Sequence, residues 1–207
     1  MKDILIGSCM KLIRKEQPQL SEVQLEQIEY GLAGVYLSIT KLIIIIAAAF
    51  LLKIQRECAC FLIIFAILRN NAYGIHATKS WVCLITSSVA FLGIPIIAMY
   101  VTIPFLAKYI MGVIATILIF KNSPADTKKR PIISKQKRLR HKLLATLTAI
   151  IYVIISISIT DNFLSNCFIM SILLVNILIA PITYHIFKLP YNNYLNYLEK
   201  EKGVVVC

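Results

Sequence analysis

Charge is what this chain has least of. Charged residues make up 15% of the 207, against about 25% in an ordinary soluble domain. The shortage is mainly acidic, with ten Asp and Glu against 22 Lys and Arg. Other signatures are missing too. The six cysteines (9, 58, 60, 83, 167 and 207) form no CxxC pair, so neither a zinc ribbon nor a disulfide framework is expected. There is no HExxH, and His76 has no second ligand at a typical spacing, so no metal or other cofactor is expected. No recognition-helix or zinc-finger pattern accompanies the net charge of +12, which excludes nucleic acid as the expected partner. The first residues lack the apolar region of a signal peptide, and LIGSC, which ends at Cys9, lies too early to be a lipoprotein box. The closing GVVVC has its Cys last and is not a prenylation signal.

In place of charge there are apolar runs. Hydrophobic residues make up 58% of the chain, and the mean hydropathy is +0.77. The runs 143–160 and 167–187 contain no Lys, Arg, Asp or Glu, and each approaches the ~20 residues that a helix needs to cross the hydrocarbon core. An all-α polytopic membrane protein with about six hydrophobic helical segments is predicted. Residues 1–30 form an interfacial, amphipathic helical segment, within which Ser21 to Gln24 matches a capping box. Residues 31–187 form the transmembrane domain, and 188–207 a tail rich in Tyr and Asn. Spans are expected at 31–52, twice within 81–120 with a turn near 98–104, at 143–160 and at 167–187, where DNFLSN separates the last two. The second run, 58–68, would rise only about 16 Å as a helix. It must therefore extend toward Ala77, carrying Arg69 into the membrane, or end partway across. Four full spans with two partial ones is the rival to six.

Basic residues predict the orientation. With both termini in the cytoplasm, 18 of the 22 Lys and Arg fall inside: four before residue 31, Arg69 and Lys79, nine within 121–142, and three in the tail. The opposite orientation would place the 121–142 loop outside, against the positive-inside rule. Lys41 and Lys108 lie within spans, where a charge is often functional. They are candidates for attracting an acidic substrate, with snorkelling as the plainer reading.

One polar stretch, RNNAYGIHATKSWVC (69–83), interrupts these runs and is predicted to face the cytoplasm. A thiol attacks as its thiolate, so a reactive Cys needs a base or a positive field nearby. Ser80 is a candidate N-cap for a span starting at Trp81, which would put Cys83 in the third helical position, near the positive dipole end. In one unbroken helix His76 and Cys83 would lie about 10.5 Å apart along the axis, too far for proton transfer. The chain must therefore break between Gly74 and Ser80 for the two to meet. On spacing alone, a loop His and a packing Cys remain the commoner reading.

The stretch from Arg69 through Gly74, His76 and Ala77 to Cys83 resembles the signature of the accessory gene regulator B (AgrB) family, membrane cysteine endopeptidases of Gram-positive bacteria. Pro124-Ala-Asp126-Thr-Lys-Lys129-Arg130-Pro131 is similar to that family's basic loop with its proline and aspartate. Length and layout agree over nearly the whole chain. Tyr73 departs from the pattern, standing where many members have the first Gly of a pair.

The resemblance implies an enzyme of the bacterial plasma membrane, with its active site at the cytoplasmic side. It would trim the C-terminal tail from a quorum-sensing pro-peptide and close a thiolactone or lactone ring. His76 takes the place of general base and Cys83 that of nucleophile. The implied partners are a short AgrD-like pro-peptide with an acidic C-terminal tail, and membrane lipids; a homodimer stays open. Arg69 is a candidate for holding a substrate carbonyl or carboxylate, or for capping its helix. Asn70 and Asn71 are candidates for oxyanion stabilisation, and Lys129 and Arg130 for peptide or anionic-lipid contact. Asp126 would join the pair only if its loop folds under the site. A small peptide exporter without proteolytic activity, or a scaffold in which Cys83 merely packs, are the competing readings.

Overall fold

The computed structural model describes residues 2–75, 80–127 and 132–195. Eight helices are found among them: α1 (Lys2–Glu16), α2 (Glu22–Leu51), α3 (Gln55–Ala72), α4 (Ser80–Tyr100), α5 (Phe105–Asn122), α6 (Lys135–Ser158), α7 (Asn162–Ile179) and α8 (Pro181–Ile186). Five stretches are long and apolar enough to cross a membrane: Gln24–Leu51, Trp81–Tyr100, Phe105–Asn122, Lys135–Ser158 and Asn162–Ile179. The chain is an all-helical, polytopic membrane protein. Helices suit lipid because each satisfies its own backbone hydrogen bonds.

Two compact units divide after Leu52. In the first, Ile6 and Met10 of α1 pack with Leu25 of α2, supported by Ile13, Ile28 and Leu32. The capping box at Ser21 forms: its hydroxyl accepts from the Gln24 N–H, and the Gln24 side chain accepts from the Ser21 N–H at 2.9 Å. Lys41 lies in α2 of this unit.

The second unit is built around α7, which touches α3, α4, α5 and α6. Its core joins Phe61 and Leu68 of α3, Ile119 of α5, Tyr152 of α6 and Ile172, Val175 and Ile179 of α7. Small residues let helices approach closely. A Cβ on Gly112 of α5 would come within 2.7 Å of Val153 on α6, and Ala115, Ala145 and Ala149 are buried nearby in sequence. Polar side chains pin the helices together. Tyr152 donates to the Ile64 carbonyl at 2.8 Å, and Asn176 to that of Ala115 at 3.0 Å. Asn166 donates to the carbonyls of Ala98 and Val101. Val89, Ile117 and Ile154 are exposed on outer faces, as lipid-facing residues are.

Four boundaries differ from the sequence reading, each for a local reason. The run at 58–68 is the middle of an 18-residue helix rising about 27 Å; Gln55–Glu57 and Arg69–Ala72 extend it because charged and amide side chains suit helix ends near water. α6 begins eight residues before the apolar run, at Lys135, since Lys and Arg are good helix formers. The linker DNFLSN is mostly helix: Asp161 caps α7, accepting from the Leu164 N–H at 2.8 Å. The run to 187 breaks at Ala180, because a residue before proline avoids helical geometry, and Pro181 then opens α8. The turn expected near 98–104 falls at 101–104.

Candidate functional site

Arg69 sits in the last turn of α3, and there the helix ends abruptly. Tyr73 has φ 61° and ψ −133°, and Gly74 has φ 110°. Gly74 needs to be glycine twice over. Its φ is positive, and a Cβ there would meet the Leu178 carbonyl oxygen at 2.8 Å and Arg69 Nη1 at 3.0 Å. Tyr73 has a Cβ in a conformation normally left to glycine, which costs of order 1–3 kcal/mol.

Three groups hold the chain that leaves the helix. The Gly74 N–H donates to the Ala125 carbonyl at 2.9 Å, while the Ala125 N–H donates to that of Ala72 at 3.0 Å, a short parallel bridge between Tyr73 and Ala125. The Ile75 N–H donates to Leu178 at the end of α7, at 3.1 Å. Arg69 Nη2 donates to the Ile75 carbonyl at 2.6 Å. The other guanidinium nitrogen, Nη1, is buried with no hydrogen-bond partner among the described residues.

Cys83 is half-buried on α4, with the Ser87 hydroxyl 4.0 Å from its sulfur. Ser80, expected as the N-cap, is the first described residue of that helix. His76, Lys79, Lys129 and Arg130 lie outside the described residues.

The loop bearing Asp126 does fold beneath the 73–75 segment. Asp126 is 2% exposed. Its carboxylate accepts from two successive backbone N–H groups, Asn193 at 3.1 Å and Tyr194 at 2.9 Å. Arg138 Nη1 stands 3.6 Å away, with its guanidinium over the Tyr194 ring. The Tyr184 hydroxyl donates to the carbonyls of Ala125 and Asp126, each at 3.1 Å. Burial raises the Tyr184 hydroxyl well above the ordinary tyrosine range, and neighbouring Asp126 adds to this. Burial likewise raises Tyr191, with Arg138 opposing it. Both keep their protons near neutral pH.

On the other flank, His141 of α6 bridges two residues of the motif: Nδ1 to Asn71 Oδ1 at 3.2 Å and Nε2 to the Tyr73 hydroxyl at 3.3 Å. Asn71 Oδ1 only accepts, so Nδ1 carries the proton, and in the neutral ring Nε2 accepts a hydrogen bond from the Tyr73 hydroxyl. An open groove of about 390 Å³ adjoins them, lined by Tyr73, Ile132, Ile133, Ser134, Lys137 and His141. Asn70 points to the exterior. Lys108 is elsewhere: buried at the start of α5, it donates to Ser165 at 2.5 Å. Ser165 lies thirteen positions before Leu178 on α7, about 20 Å along the axis.

Thus Arg69, Asn71, Gly74, Cys83 and Asp126 belong to one end of the second unit, and Lys108 to the other. Reading the sequence missed His141, Tyr184, Arg138 and Asn193. His141 was visible as a histidine in a basic run, but nothing in the run pairs it with Tyr73, 68 positions away.

Comparison with known proteins follows this geometry. The family model described as Accessory gene regulator B matches residues 7–180, a range that holds the 69–83 motif and Asp126. An AgrB-like protein of Clostridium acetobutylicum is 26% identical over 93% of this chain and 92% of its own length. An AgrB-like protein of Lactiplantibacillus plantarum is 32% identical over 88% of each chain. Accessory gene regulator protein B of Staphylococcus aureus is 29% identical over 72% of this chain and 78% of its own. No solved structure matches. With the family model covering most of its length, the chain belongs to the accessory gene regulator B family.

Proposed function

We propose that this protein is a membrane-embedded cysteine endopeptidase that cuts the C-terminal tail from a short pro-peptide and promotes its cyclisation. The observation that carries the reading is the helix break at Tyr73 and Gly74, held by Arg69, Ala125 and Leu178, with His76 and Cys83 in the stretch of chain that follows it.

His76 takes the thiol proton, and Cys83 Sγ attacks the carbonyl carbon of the scissile peptide bond. The N-cap that the sequence predicts at Ser80 would set free N–H groups close to Cys83, which favour the thiolate. Arg69 Nη1, buried and without a partner among the described residues, donates to the oxyanion that develops on the carbonyl. As the C–N bond breaks, His76 returns the proton to the departing amine, leaving a thioester on Cys83. A Cys or Ser within the same peptide then attacks the thioester carbonyl, closing the ring and releasing Cys83. Tethering supplies that nucleophile at high effective concentration, and an apolar setting protects the thioester from water.

The substrate fits an AgrD-like pro-peptide with an acidic tail. The groove beside Tyr73 presents Lys137 and His141 next to two isoleucines, which suits a peptide carrying both carboxylates and apolar side chains. The same end of the second unit carries the basic 121–142 region, supporting a cytoplasmic active site in a bacterial plasma membrane.

Purified protein in lipid, incubated with candidate precursor and quenched quickly, tests the reading by mass spectrometry. A peptidyl adduct on Cys83 is expected, absent in Cys83→Ala and in His76→Ala. Cleavage that persists in Cys83→Ala would end it.

A further inference from the structure

The segment carrying His76 is tied to the C-terminal part of the chain through one buried carboxylate. Asp126 Oδ1 and Oδ2 accept from the backbone of Asn193 and Tyr194. Asn193 Nδ2 donates to the Pro190 carbonyl and back to that of Asp126. One residue before Asp126, the Ala125 carbonyl accepts from Gly74, and the Ala125 N–H donates to Ala72. Tyr184 braces both carbonyls from below, its ring packed edge-on against Tyr191 at 5.0 Å.

We infer that Asp126 is a positioning residue: it latches residues 190–194 under the 123–126 loop, and the loop passes that order through Ala125 to Gly74 and Ile75, the residues from which the chain enters His76. This rests on the reading of His76 and Cys83 as the reacting pair. Asp126 acts through backbone, not at the reacting atoms. A buried carboxylate with its guanidinium 3.6 Å away depends on its two N–H donors to offset the cost of burial. Replacing one oxygen by an amide turns an acceptor into a donor facing another donor. The latch then opens, and the Ala125 bridge loses its support on that side. A displacement of the order of 1 Å at a catalytic group lowers rate about 10²-fold.

The test uses full-length protein in lipid and reads two things: cleavage kinetics, and the pH profile of Cys83 alkylation by iodoacetamide, located by peptide mapping. Asp126→Asn is expected to lower kcat roughly 10–100-fold with KM nearly unchanged. It should also move the Cys83 alkylation profile toward that of His76→Ala, while buried Cys58 and Cys167 stay unreactive. Tyr184→Phe, which keeps the ring and removes the brace, should shift kcat and the profile in the same direction by less, and supplies the test if Asp126→Asn does not fold. A His76-dependent profile that survives both substitutions overturns the positioning role. So does a change in which Cys58 and Cys167 become reactive together with Cys83, since the carboxylate would then serve packing in general. A profile that His76→Ala itself leaves unchanged refutes the His–Cys pair instead, which separates the two failures.

Discussion

The Gly74 N–H and the Ala125 carbonyl meet at 2.9 Å, joining the end of α3 to the loop after α5. This bond fixes where the polar motif leaves its helix. Gly74→Ala would set a Cβ 2.8 Å from the Leu178 carbonyl at a φ of 110°. Unfolding in detergent should show a loss of about 1–3 kcal/mol, and cleavage should fall more steeply than stability.

Arg69→Lys keeps the charge but not the fork. Nη2 holds the Ile75 carbonyl while Nη1 has no partner among the described residues, and an ammonium cannot replace the two-pronged fork. Single-turnover cleavage should slow by roughly 10²-fold or more, with thermal unfolding little changed.

Tyr73 offers a test of strain against contact. Its φ of 61° suits glycine, while its side chain bonds His141 and packs edge-on against that ring at 5.0 Å. Tyr73→Ala keeps the strain and loses the contacts, whereas Tyr73→Gly loses the contacts and relieves the strain. The glycine variant should unfold later than the alanine one, by about 1 kcal/mol. Equal stabilities would show that the backbone there is not strained.

Gly112→Leu tests the helix packing far from the motif. Its new side chain would collide with Val153, already 2.7 Å from a built Cβ. Overpacking of this kind costs about 1–3 kcal/mol, seen as a lowered midpoint in thermal unfolding.

Much of the fold could be read from the chain. Apolar runs bounded by turn residues marked the spans, and the capping box at Ser21 marked the start of α2. The errors were at the ends, where Lys135–Lys142, Asp161 and Pro181 moved boundaries through capping and helix propensity rather than hydropathy. The motif at 69–83 stood out because it is polar inside an apolar stretch, and Gly74 sits where the turn is.

What the sequence by itself determined is therefore local: helices long enough for lipid, a capped start for α2, and a break near Gly74, since hydropathy, caps and glycine act over a few residues. Only the tertiary structure decided that Asp126 faces Asn193 and Tyr194, that His141 meets Tyr73, and that Lys108 lies at the opposite end from Arg69. Asp126 and Tyr194 are 68 positions apart, and no periodicity encodes such a pair. It forms because α3, α5, α6 and α7 pack through small residues and buried amides, and that packing brings the polar loops at one end within bonding distance.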